Sequence, residues 1–295
     1  MGDCLLYLNG YYQNQGRLIV SNIKHITPLV LNSVLVAIFC AANLSCSIKT
    51  PEPKPVQSPP APTTPVQQPA PQPPQPEAQP TIPPKVAKVS YLAHSCFLIT
   101  SSDGLKIITD PYNVIGYKPV NESADVVIIS HEDWDHNNVA GVNGQPEVVR
   151  TPGIKSIKGI EFKTIEAWHD PGKTKPNNIT SFTVDGLKFC FLGDLGSSLT
   201  NEQVSAIGGV DVLFIPVGGV YTINAQKAMD TYNALKPGIV IPMHYRMPGV
   251  VFSLDAIDDF IQGKPNVRKL NSSLLEINKT ELPAPTTIIV MDPAR

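Results

Sequence analysis

From position 85 onward the chain reads as short blocks of apolar and β-branched residues broken by turn residues, the rhythm of strands rather than of long helices. "KVAKVSYLAH" and "SCFLITSSDGLKIITD" predict consecutive strands, with Asp103-Gly104 as a hairpin turn. "ADVVIIS" is a nearly unbroken apolar run, the pattern of a strand buried on both faces. "GIEFKTIEAWHD" and "ITSFTVDGLKFCFLGD" repeat the strand pattern, the latter around Asp185-Gly186. The second half alternates: a helix capped by Thr200, the strand "VDVLFIPVGG", a helix stopped by Pro237-Gly238, the strand "IVIPMHY", and a helix starting near Ser253. Paired strands followed by strands alternating with helices predict an α+β domain whose sheets carry helices on their outer faces.

The prolines divide the chain. Of 30, 15 fall between Pro51 and Pro84, in a stretch with no aromatic residue. Such a stretch cannot bury a core and predicts a solvated, disordered spacer of polyproline type, rising about 3.1 Å per residue where extended. Residues 1–46 are thus read as a leader, 47–84 as a Pro-rich linker, and 85–295 as one folded domain with a substantial core. In the leader, Pro28 to Ser47 holds an apolar run of about 14 residues behind Arg17, Lys24 and His25. That is short of the roughly 20 residues of a spanning helix and matches the apolar part of a secretory signal. Cys46 directly before the spacer gives the layout of a bacterial lipoprotein, a lipidated cysteine, a tether and a domain at the cell envelope. Asn43 and Leu44 depart from the residues such a signal prefers, which leaves open cleavage near Ala41 or Ala42 to a secreted or periplasmic form, or a retained membrane anchor. A translation start near Leu18 or Val20 fits the signal better than the first residues do.

A net charge of −2 with no basic cluster in the domain argues against a nucleic-acid surface. Cys96 and Cys190 lie inside strand-like runs and read as buried thiols, with a disulfide between them as the alternative. Gly218 and Gly219 lack the further glycine and helix start of a dinucleotide site. The domain's 5 histidines, His94, His131, His136, His169 and His244, all stand at the exits of apolar strands, as do Asp110, Asp133, Asp135 and Asp194. Loops at one rim of a rigid sheet gather chemistry without breaking the core. So many imidazoles and carboxylates together are costly unless a cation neutralises them, and a pair of divalent ions removes the conflict.

The "HEDWDH" loop, His169, "LGDLG" around Asp194 and "MHY" around His244 resemble the metallo-β-lactamase superfamily. The resemblance is nearest to the subgroup of ascorbate-6-phosphate lactonase-like proteins and phospholipase D-type hydrolases of N-acyl phosphatidylethanolamine. "AHSCFLI", "TDPY", "LTNEQV", "DVLFIPVGG" and "VIPMHYR" are also similar, so it spans Lys85 to about Gly249. It implies a four-layer αββα sandwich and two divalent ions, zinc, manganese or iron. His131 and His169 would bind one ion, with Asp133 standing where the family has its second histidine. Asp135, His136 and His244 would bind the other, Asp194 would bridge, and Asp110 would orient a ligand. His94 and Arg246 would approach substrate. The carboxylate at Asp133 shifts preference from zinc toward manganese or iron; the alternative is a lost ligand and a single-ion site. A carboxylate there partly resembles the flavodiiron branch, although no flavin domain follows.

These implications make the chain a metal-dependent hydrolase in which a metal-bridging hydroxide attacks a phosphoester, lactone or amide of a small-molecule substrate, tethered to the membrane by its N-terminal anchor. Asp135 would accept a proton, and His94 or Arg246 would contact the substrate oxygen. The alternatives are a diiron redox protein and a non-catalytic metal-binding module. Glu132 reads as a surface or supporting group, Trp168 as a pocket wall, Asp170 as support for His169 or a turn cap, and Lys173 and Lys175 as solvated loop residues or contacts to an anionic substrate.

Overall fold

The structure, a computed structural model, describes residues 84–250 and 252–294; the leader, Cys46 and all of the linker before residue 84 lie outside the described residues. Strands β1 (Val86–Ala93), β2 (Cys96–Thr100), β3 (Lys106–Thr109), β4 (Val126–Ile128), β5 (Glu147–Val149) and β13 (Leu274–Asn278) form one sheet. Its order is β13-β1-β2-β3-β4-β5. The other sheet contains β6 (Gly153–Ile157), β7 (Ile160–Trp168), β8 (Pro176–Val184), β9 (Leu187–Phe191), β10 (Val212–Pro216), β11 (Ile239–Met243), β12 (Val267–Lys269) and β14 (Thr287–Val290). Its order is β12-β14-β11-β10-β9-β8-β7-β6.

The patterns explain the pairing. Asp185 at φ 52° and Gly186 at φ 77° give the β8–β9 hairpin the two left-handed residues of a type I′ turn. β4 is fully buried because it runs parallel between β3 and β5, and β10 is fully buried between β9 and β11. Phe97 of the first sheet meets Phe214 of the second with ring centroids 4.5 Å apart. Phe189, Phe182 and Phe162 extend that aromatic line through the second sheet. Cys96 and Cys190 are both buried and free, as burial in these strands predicts.

Helix α1 (Asn201–Ile207) starts at Thr200 through a capping box with Gln203. It docks on the second sheet where Lys163 Nζ donates to Ala206 O at 2.7 Å. Helix α2 (Ala225–Leu235) starts at Asn224 and ends at Lys236, whose left-handed backbone precedes Pro237. Helix α3 (Ile257–Ile261) begins later than the sequence suggests. Asp255 donates its amide to Gly218 O (2.8 Å) and accepts at its carbonyl from Arg246 N (2.9 Å), which holds that segment extended. The crossover between parallel β4 and β5 carries only a 3₁₀ turn, Val139–Gly141, where crossovers usually carry an α-helix. Among the described residues no helix is long and apolar enough to cross a membrane.

Candidate metal centre

Both sheets send strand ends to one rim. The first contributes His94 after β1, Asp110 after β3 and the His131 to His136 loop after β4. The second contributes His169 after β7, Asp194 after β9 and His244 after β11. His94 (φ 57°), Asp110 (φ 30°) and His244 (φ 52°) all adopt left-handed backbone that non-glycine residues seldom take, the kind of strain that collects at functional sites. Hydrogen bonds hold it: His94 O accepts from His244 N at 3.1 Å and from the Tyr91 hydroxyl at 3.0 Å. Two glycines let backbone come close enough. A Cβ on Gly196 would lie 1.7 Å from His169 O, and one on Gly218 would lie 2.0 Å from His244 O. These contacts explain the glycines of "LGDLG" and "VGG" by packing rather than by nucleotide binding.

Three donor groups converge, each with ligand atoms within 4.8 Å of one another: His94, Asp135, His136 and His244; Asp110, His131 and His136; His131, His169 and Asp194. Within and between these groups the spacing is that of ligands around an ion. Tetrahedral donors about 2.0–2.1 Å from a zinc-sized cation lie roughly 3.3–3.4 Å apart. Asp194 Oδ2 stands 3.3 Å from His136 Nε2, 3.0 Å from His244 Nε2 and 3.7 Å from His169 Nε2. One carboxylate oxygen is therefore approached by rings from both sides, the geometry a bridging ligand needs. Its partner Asp194 Oδ1 is buried with no hydrogen-bond partner, as is His131 Nε2, which lies 3.3 Å from Asp133 Oδ2 without hydrogen-bond geometry. Buried acceptors left without donors are what a cation would satisfy. The donor set fits divalent metal.

Asp110 aims the rings. Its fully buried carboxylate accepts from Ser130 N (2.8 Å), from Ser130 Oγ (2.5 Å) and from His136 Nδ1 (2.9 Å). Because Ser130 Oγ is committed as donor to Asp110, it accepts from His131 Nδ1 at 2.9 Å. Both imidazoles then present Nε2 to the centre, the tautomer a metal ligand requires. Burial, reinforced by His244, pushes His94 down to about 3. Burial also opposes charge on His136 and Asp194, yet attraction between them prevails, holding His136 well above the ordinary imidazole value and Asp194 well below that of a carboxyl. Burial lowers His169.

Asp133 lies 3.3 Å from His131 Nε2 and 3.9 Å from His169 Nε2, within reach of the first position. The same Oδ2 is paired with Lys175 Nζ. His131 and then Lys175 hold the Asp133 carboxyl well below the usual range, against partial burial. Lys175 is itself fixed: Asp170 Oδ1 accepts its amide at 2.7 Å, and its carbonyl accepts from His169 N at 2.9 Å. Asp170 is thus a turn cap, and the lysine read as a loop residue belongs to the centre. Arg246 does not. It is exposed, with its amide donating to Asp255 O at 2.9 Å, and it is absent from the cavity over the donors. With Tyr245 buried, Arg246 stands out toward solvent, so the cation at this cavity is Lys175.

That cavity, about 290 Å³, is walled by Asp133, Asp135, His169, Asp194 and His244, with Trp134, Tyr221 and Phe252 as aromatic sides. Trp134 is 63 % exposed at the lip, and Trp168 takes no part in the lining. A larger cavity of about 550 Å³ opens beyond Tyr221 but touches the donors only through His169, so the smaller one marks the chemistry. Glu132 faces outward and pairs with Arg150 at 3.2 Å. Sequence reasoning missed Ser130, Trp134, Tyr221 and Phe252. Ser130 and Trp134 sit inside the "SHEDWDH" run itself, the one signal that pointed to them.

A family model described as a beta-lactamase superfamily domain matches residues 88–244. The chain is 28% identical over 178 residues to a UPF0173 protein of Pyrococcus abyssi, covering 54% of this chain and 83% of that one. It is 27% identical over 193 residues to a UPF0173 metal-dependent hydrolase of Pelotomaculum thermopropionicum, covering 54% and 84%. A Thermotoga maritima structure, described as a proposed Zn-dependent hydrolase of the metallo-beta-lactamase superfamily, is 35% identical, covers 70% of this chain and 98% of its own, and superposes with a TM-score of 0.61.

Proposed function

Because the chain belongs to the metallo-β-lactamase superfamily, we propose that it is a metal-dependent hydrolase whose metal ligands are His131, Asp133, His169, Asp194, Asp135, His136 and His244. The observation that carries the reading is the approach of three imidazoles, His136, His244 and His169, to one buried oxygen of Asp194 at 3.0–3.7 Å. Bound divalent ions supply a nucleophile from water near neutral pH and draw charge from the oxygen under attack. The residues do the rest. Asp110 and Ser130 hold His136 and His131 with Nε2 facing inward. Asp135, whose side chain is 14% exposed and lines the cavity, receives the proton of the attacking water. Trp134, Tyr221 and Phe252 pack an apolar part of the substrate and exclude bulk water.

Following the subgroup resemblance, the substrate is a phosphoester, lactone or amide. Cys46 directly before the Pro-rich stretch supports a tether at the cell envelope. The test is metal analysis of the full chain coupled to a panel of generic phosphodiesters, esters, amides and lactones. Reconstitution with manganese, zinc or iron is expected to bring hydrolysis of at least one class, lost on chelation and restored by the ion. A chain that binds none of the three ions, or hydrolyses nothing with them bound, would overturn the reading.

A further inference from the structure

His94 is read from sequence as a substrate contact, and its surroundings assign it elsewhere. The side chain is fully buried and takes no part in the lining of the cavity. Its ring is stacked on Phe252, with centroids 5.3 Å apart, and lies 4.4 Å from the ring of His244. A substrate in the cavity would meet Asp135 and His244 before it. Nε2 of His94 instead points among donors, 3.2 Å from Asp135 Oδ2 and 3.1 Å from His136 Nε2, with His244 completing a group within 4.8 Å. Those separations match neighbouring ligands of one ion.

The first position differs in kind. Its carboxylate at Asp133 is paired with Lys175, whose backbone is held by the Asp170 turn, and a dication entering there meets an ammonium already on that carboxylate. One side of the centre thus gains a donor while the other faces a competing cation.

Resting on the metal-dependent reading above, we propose that the two metal positions are unequal. His94 is a fifth donor beside Asp135, His136, Asp194 and His244, and that position fills first. Lys175 holds the His131, Asp133, His169 and Asp194 position empty until a second ion displaces it from Asp133. The inequality comes from this chain's own residues, an added imidazole on one side and a tethered lysine on the other.

The experiment is zinc titration of the metal-free full chain by calorimetry, joined to X-ray absorption at one equivalent of zinc. Two classes of site are expected, separated by about a hundredfold in affinity, a gap that Lys175→Met narrows by at least about tenfold by strengthening the weaker class. At one equivalent the absorption spectrum of the wild-type chain is expected to count three imidazoles, those of His94, His136 and His244, and that of His94→Gln two. The wild-type count stands whether or not the variant folds. Two imidazoles in the wild type, sites of equal affinity, or an unchanged gap in Lys175→Met would each overturn the proposal while leaving a metal centre in place. A chain that binds no zinc, manganese or iron would sink the functional reading itself.

Discussion

At the scale of single residues, the geometry of the donor cluster depends on side chains that do not line its cavity. Ser130 is the clearest, because its hydroxyl passes the orientation of Asp110 on to His131. Ser130→Ala is expected to leave the sheets intact while weakening metal binding about 10–100-fold at the position that uses His131. Losing one donor to the buried Asp110 also costs about 1–3 kcal/mol of stability. Metal affinity measured beside thermal unfolding separates the two effects; unchanged affinity would refute the relay. The gathering of the histidines was legible in the sequence, since each ends an apolar strand. Lys175 was not, because its partner Asp133 is 42 residues away and nothing in "DPGKTKPNN" points there. Arg246 stands close to the cluster in sequence, two residues past His244, but it is exposed and its backbone is tied to Asp255.

At the scale of elements, the hairpins at Asp103-Gly104 and Asp185-Gly186 were readable from their turn residues, whereas the left-handed Lys158-Gly159 turn between β6 and β7 was not read, and neither was the start of α3, because long-range hydrogen bonds of Asp255 override the local helical pattern. A second long-range tie lies outside the centre. Asp125, just before β4, accepts from Lys106 N at 2.9 Å and from Lys158 Nζ at 2.5 Å, the lysine standing in the turn between β6 and β7. The pair joins the two sheets. Lys158, with help from Lys106, holds the Asp125 carboxyl below its ordinary value against slight burial. A lowered folded value means the contribution is complete above the unfolded pKa, about 3.9, and disappears as pH falls through the folded one. Asp125→Asn is therefore expected to cost roughly 0–1 kcal/mol at neutral pH, as for a partly exposed pair, and nothing in strong acid. Urea unfolding from pH 2 to 7 measures this, and a gap between variant and wild type that stays constant across that range would contradict it.

At the scale of the whole molecule, the sandwich was predictable from strand pattern and motif order, whereas the thin helical cover of the β4–β5 crossover was not, since crossover content leaves no trace in the strands it joins. The proline distribution leads to a further expectation: limited proteolysis of the full chain should stop at a resistant fragment beginning close to Lys85, identified by mass. A stable fragment that retains the Pro51 to Pro84 stretch would refute the linker boundary.

Donor-bearing strand ends come from both sheets, His94, Asp110 and the His131 loop from one and His169, Asp194 and His244 from the other. Any cation gripped between them is also a clasp across the open edge of the sandwich. Binding that favours only the folded chain raises its stability with the logarithm of free ion concentration. Scarcity of the ion would then loosen the scaffold and silence the chemistry together, so that the free ion concentration around the protein would set its persistence as well as its activity.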